Sequence, residues 1–313
     1  MSVSAALAEA APKPERCCTF CDNSLRGAPF CASLRQYHPT PLIHPARALM
    51  THETAFLGAS TILGKYWTKR RHFDYLIDKE NFSSTFGHNF RMMVYLDSAV
   101  ANGPNAVRAD VKADTAATNY LIRHLGDIKP ELTVFVTTCD MLEPDADENT
   151  PVLESSDDPY VQNRINLYRE LNYQYGRVLN VHIPELGVPM DCFSPLLAAL
   201  ANPPAGRKPL PFAPEELHQI YFPQRILGDV ERCLPLGIPA IIPAMPPLST
   251  REIVEALNLD LLKRLREPLP DDPRGSCRSS IHSFQWLDPK DGYLVTKEDQ
   301  IVLLKFFAGI DSF

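Results

Sequence analysis

The stretch Thr54-Ala55-Phe56-Leu57-Gly58-Ala59-Ser60-Thr61-Ile62-Leu63-Gly64-Lys65-Tyr66-Trp67 constrains this chain more than any other. An apolar run enters a glycine, a second glycine follows six residues later, and a segment able to form a helix comes next. Glycine tolerates the tight turn out of a strand, and a later glycine lets the helix pack closely on that strand. The helix N-terminus then offers backbone N–H groups and a favourable dipole to a phosphate. Gly58 and Gly64 fill the outer positions of such a dinucleotide cradle, Ser60 lies inside it, and Thr61 replaces the middle glycine. Taken alone, the pattern also fits an ordinary strand–helix turn.

The next segment strengthens the first reading. Phe73-Asp74-Tyr75-Leu76-Ile77-Asp78 is an apolar run ending in an acid, and Asp78 lies 20 residues beyond Gly58. That is the offset of a carboxylate that binds the adenosine ribose hydroxyls at the end of a second strand. Lys69, Arg70 and Arg71 crowd the end of the short intervening helix. They either form a solvated basic helix end or favour a 2′-phosphate, so both NAD and NADP stay open.

At 313 residues, 45% of them hydrophobic, the chain can bury the core of one large domain or two smaller ones. A net charge of −7 argues against nucleic-acid binding through phosphate contacts. No apolar run reaches the ~18 residues of a membrane span, and Met1–Arg16 lacks the pattern of a secretory signal, so a cytoplasmic protein is expected.

Four of the eight cysteines, Cys17, Cys18, Cys21 and Cys31, fall near the N-terminus; the others are scattered, which is not a disulfide framework. Cys18 and Cys21, separated by two residues, can place both thiolates on one tetrahedral zinc, with Cys31 and either His38 or Cys17 closing the site. The alternative is an extension with reduced thiols. The expected organisation is a Cys-rich extension over 1–47 and a domain over 48–313.

Beyond Asp78 the pattern alternates. Phe90–Asp97 reads as a strand, followed by the small-residue turn Ser98–Gly103. Val107–Leu125 reads as a helix in which Asp114 breaks an apolar stripe, and Leu132–Thr138 reads as a buried parallel strand. Strands alternating with helices predict an α/β fold, a Rossmann-type doubly wound parallel sheet covered on both faces. The strand ending in Thr137-Thr138-Cys139-Asp140 is followed by an acidic loop, Glu143–Asp158, and then by Pro159-Tyr160-Val161-Gln162-Asn163-Arg164, which opens a helix running to about Tyr175. Ligands bind at the carboxyl ends of strands in such sheets. Tyr160 and Arg164 are four apart on one helix face, so the cation is expected to lower the phenol pKa and fit it for acid/base work.

This order of glycine turn, acid, Thr-Thr and Tyr-x-x-x-basic resembles the extended short-chain dehydrogenase/reductase family over most of 54–313, and its nucleotide-sugar epimerase/dehydratase branch most of all. The resemblance implies that Gly58, Ser60, Thr61 and Gly64 approach NAD or NADP and that Asp78 binds its adenosine ribose. It implies that Thr138 holds a substrate oxygen, Tyr160 is the acid/base, and Arg164 stands where the family has lysine. Cys139 and Asp140 match the acid pair of the sugar dehydratases, but the first acid is a cysteine, which points away from dehydration. The substrate implied is a nucleotide-linked sugar, held by a smaller C-terminal substrate-binding portion mostly from 184 onward, and a homodimer is implied through helices like Val107–Leu125 and Val161–Tyr175. Two function classes follow: an epimerase or reductase, or a dinucleotide-binding pseudoenzyme on the same fold.

Overall fold

A computed structural model describes residues 53–98, 100, 104–143, 146–186, 195–203, 208–266 and 292–307. All of them belong to one compact unit, His44–Asp311. The cysteine cluster with His38 lies outside the described residues, so its expected zinc site does too.

Six parallel strands form the sheet: β1 (Thr54–Leu57), β2 (Tyr75–Ile77), β3 (Met92–Leu96), β4 (Thr133–Thr138), β5 (Val178–Ile183) and β6 (Ala240–Ile241). Their spatial order is β2-β1-β3-β4-β5-β6. The order reverses between β1 and β3, and in open sheets of this kind ligands bind outside the carboxyl ends of the strands at such a switch point. The sheet ends on β2, because the chain returns from β2 to β3 through a short 3-10 turn, Phe82–Thr85, and a two-residue strand, Asn89–Phe90, that pairs with Lys129–Pro130 outside this sheet, and not through a further helix and outer strand.

Alternation along the strands builds two cores. Ala55, Leu57, Met93 and Phe135 pack beneath α3 (Val111–His124) and α4 (Pro159–Gln174), against Leu121, Leu125, Leu167 and Leu171. On the other face Phe56 meets Trp67 of α1 (Ile62–Thr68), with ring centroids 5.8 Å apart, and Phe73 at 4.7 Å. Burying side chains of this size on both faces contributes about 1.5–3 kcal/mol each. Both faces being covered is what gives the strands their apolar runs.

One expected helix divides in two. Val107–Leu125 is split between α2 (Pro104–Ala109) and α3, because the Asp110 side chain accepts from Ala113 N at 3.1 Å and so starts a new helix. Downstream are α5 (Pro195–Ala201), α6 (Ile226–Cys233), α7 (Thr250–Ala256) and α8 (Lys297–Phe307). A capping box between Ser249 and Glu252 opens α7, satisfying two helix-end N–H groups at once. Two short strand pairs, Glu185–Leu186 with Ile220–Tyr221 and Leu217–His218 with Leu248–Ser249, accompany these helices. No described helix is long and apolar enough to cross a membrane.

Candidate active site

The cradle at the end of β1 is built by backbone geometry. Gly58 has φ +107°, a conformation other residues avoid, and an added Cβ would lie 3.2 Å from the Leu96 carbonyl. At Gly64 an added Cβ would lie 2.0 Å from the Gly58 carbonyl, so only glycine lets α1 sit this close to the turn. Thr61 is the N-cap of α1. Its hydroxyl donates to Gly58 O at 2.6 Å and accepts from Gly64 N at 3.0 Å. A residue that replaces a cradle glycine has become the cap of the helix. Asp78 closes the cradle, its Oδ1 accepting from Ser60 N at 2.7 Å while Oδ2 has no partner among the described residues. Gly58, Ser60, Thr61, Gly64 and Asp78 are therefore brought together, as expected.

Two of the three residues of the basic cluster are engaged elsewhere. The Arg70 guanidinium lies 3.7 Å over the Tyr66 ring and donates to Tyr66 O, while Arg71 pairs with Glu231 of α6.

At the carboxyl end of β4, three expected residues converge. Tyr160 Oη donates to Asp140 Oδ2 at 2.7 Å, and Thr138 Oγ1 donates to the same oxygen at 2.8 Å. The position of Tyr160 follows from its helix start: Asp158 is the N-cap of α4, with Oδ1 accepting from Tyr160 N at 2.9 Å, and Pro159 takes the first position, where an N–H is not needed. Tyr160 is 1% exposed.

Arg164 is where the structure corrects the sequence reading. Its Nη2 donates to both oxygens of Asp114, at 2.6 and 2.8 Å, and its Nε lies 3.2 Å from Asp97 Oδ2. All three side chains are buried. Thr137 Oγ1 donates to Asp97 at 2.7 Å, and Asn163 Nδ2 donates to Asp114 at 2.7 Å. Two carboxylates thus answer one guanidinium, whose own pKa is raised because Asp97 and Asp114 outweigh its burial. Its charge is spent locally. The Tyr160 phenol is not lowered but raised well above its usual value, first by burial and then by the charge and hydrogen bond of Asp140, against which Arg164 is the weaker influence.

Sequence reasoning gave no role to Asp97, Asp114, Asn163 or Asp158. Asp114 did leave a signal, as the acid interrupting an apolar stripe, and it interrupts the stripe because it faces Arg164 and not the core. His182 of β5, paired in register with Thr137, is also buried and neutral, with its pKa depressed to about 4 by burial. Among the described residues no group of three or more His, Cys, Asp or Glu side chains could hold a metal.

No protein-family model matches the sequence, and no curated protein matches it. Solved structures do match in fold. A dTDP-4-dehydrorhamnose reductase from Clostridium acetobutylicum superposes with a TM-score of 0.57 at 10% identity, over 83% of this chain and 99% of that one. The dTDP-4-dehydrorhamnose reductase from Bacillus anthracis, solved in complex with NADP, gives 0.55 at 12% identity over 83% and 100%. An epimerase from Methanothermobacter thermautotrophicus gives 0.55 at 12% identity over 86% and 91%. The chain has the Rossmann-type α/β fold that these reductases and the epimerase share.

Proposed function

We propose that this protein binds a nicotinamide dinucleotide and reduces a carbonyl of a nucleotide-linked sugar, with Tyr160 as the proton donor. The observation that carries the reading is the convergence of the Thr138 and Tyr160 hydroxyls on Asp140 at the strand edge beside the switch point. Nucleotide-linked sugar is the substrate class named for the reductases that share the fold.

The cradle fits the adenosine half of a dinucleotide. Gly58 and Gly64 let the turn and α1 pack closely where a Cβ would meet backbone carbonyls, and Asp78 Oδ2 remains open to a ribose diol. We favour NAD over NADP, since Asp78 would repel a 2′-phosphate and Arg70 and Arg71 are engaged on Tyr66 and Glu231. When bound in its reduced form, the nicotinamide would supply the hydride. The chain supplies the proton. To do so the Tyr160 and Thr138 hydroxyls would turn from Asp140 to the carbonyl oxygen as it becomes a hydroxyl, and the raised phenol pKa, which makes Tyr160 a weaker acid than an ordinary tyrosine, is a cost that the bound substrate has to offset.

A second reading, dinucleotide binding without turnover, is favoured by the sealing of Arg164 between Asp97 and Asp114. Turnover of a panel of nucleotide-linked keto sugars with NADH and NADPH separates the two. Under the enzymatic reading Tyr160→Phe loses about 10²–10⁴-fold in rate with cofactor affinity kept. A Tyr160→Phe variant as active as the wild type would refute the mechanism. Cofactor binding with no substrate reduced would favour the second reading.

A further inference from the structure

Tyr160 is held by more than the hydrogen bond to Asp140. The guanidinium of Arg108, on α2, lies 4.0 Å from the centroid of the Tyr160 ring, and Arg164 lies 5.0 Å from it. Arg108 also pairs with Asp158 Oδ2, and the other oxygen of the same carboxylate holds the Tyr160 N–H. One carboxylate therefore grips the tyrosine twice, directly through its backbone and indirectly through the cation over its ring. The Arg108 side chain is 40% exposed, whereas the ring beneath it is buried.

We propose that Arg108 and Asp158 form a clamp that positions the Tyr160 ring, Arg108 being a positioning residue that acts through the tyrosine. The physics is simple. A flat guanidinium over an aromatic face gains cation–π and stacking energy. Its ion pair with Asp158 fixes where that guanidinium sits, and Asp158 is itself fixed as the helix cap. The ring is then confined between its covering cation and the oxygen it must reach, Asp140 Oδ2. Arg108 precedes α4 by some fifty residues and comes from a different helix, so the clamp ties the proton donor to the segment that follows β3. The clamp's relevance to proton transfer rests on the proposed function, but the clamp itself does not.

The test uses the full chain labelled with [13Cζ]tyrosine. The Tyr160 signal is assigned by its loss in Tyr160→Phe. In the wild type it should be a single sharp resonance that does not titrate up to pH 10. In Arg108→Gln it should shift and broaden, with the other ten tyrosine signals in place. Arg108→Lys keeps the charge without the flat fork and should fall between the two. Asp158→Asn is the sharpest variant. Asparagine caps a helix as well as aspartate does, so a mere capping role would leave the Tyr160 signal unchanged, whereas the clamp requires it to move as in Arg108→Gln. An unmoved Tyr160 signal in either Arg108→Gln or Asp158→Asn overturns the proposal. If Arg108→Gln does not fold, Arg108→Lys and Asp158→Asn still decide it. Calorimetry of NADH binding on the same samples reads the proposed function separately. A clamp seen by NMR in a protein that binds no dinucleotide would sink that function and leave the clamp standing.

Discussion

The two halves of the site are built by different means. The half proposed to hold adenosine, Gly58 to Asp78, is contiguous in sequence and shaped by the backbone: a positive φ, a contact too close for a Cβ, a helix cap and one carboxylate. The half proposed to handle the proton draws on β3, β4, α2, α3 and α4, and is shaped by charge: Asp97, Asp114 and Asp140 against Arg164 and Arg108. A backbone cradle depends on residues that are small. A buried charge network depends on every partner, since removing one leaves another unpaired in a medium that solvates it poorly. The halves should therefore respond differently to substitution and to pH.

The largest effect is expected at Arg164. Arg164→Ala leaves Asp97 and Asp114 buried without their cation, and the loss should be about 3–5 kcal/mol of folding stability by urea unfolding. A loss below about 1 kcal/mol would mean that the network is hydrated and that the contrast between the halves is overstated.

Acid should act next, through His182 on the proton side. Its folded pKa is depressed to about 4, so the unfolded state takes up a proton first as the pH falls below its ordinary value of about 6.5. Stability should then drop by up to about 3 kcal/mol between pH 6.5 and 4. His182→Gln should flatten that slope. On the adenosine side, Asp74 is depressed chiefly by the Thr54 N–H that it accepts at 2.7 Å, so its contribution is present above its ordinary carboxylate range and fades only at lower pH. A slope between pH 6.5 and 4 that survives His182→Gln would assign the acid sensitivity to other groups.

Gly64→Ala comes third. Its methyl group would press on the carbonyls of Gly58 and Ala59, both backbone, so α1 must shift. We expect about 1–3 kcal/mol of destabilisation and loss of measurable dinucleotide binding by calorimetry. Unchanged binding would show that the cradle is not the phosphate site. The smallest effect is a change in preference. Asp78→Asn removes the charge that opposes a 2′-phosphate and should narrow an NAD-over-NADP ratio by about tenfold, about 1.4 kcal/mol. A ratio that does not change would place the adenosine ribose elsewhere.

Much of the first half was legible in the sequence because its information is local. Gly58, Gly64 and Asp78 act through turn geometry and a fixed offset, and both survive as spacing along the chain. Even the departure at Thr61 has a local cause, since a threonine three residues before a glycine can cap the helix that contains it. In the second half, Thr138, Asp140 and Tyr160 were legible as residue types at strand and helix ends, but their relation was not. Arg164 was read as a cation for the phenol because the two lie four apart on one helix. What the cation does depends on acids 67 and 50 positions away, at Asp97 and Asp114.

By itself, then, the sequence determined the alternation of strands and helices, the glycine cradle, the acid at the end of β2 and the start of α4. Periodicity, φ preference and capping are properties of neighbouring residues. Only the tertiary structure decided that the sheet ends on β2, that the helix expected over Val107–Leu125 breaks at Asp110, and that Arg164 is answered by two aspartates while burial and Asp140 raise the Tyr160 phenol pKa. Charge interactions in a buried site depend on distance through space and on the loss of water, and neither is written in the spacing of residues along a chain.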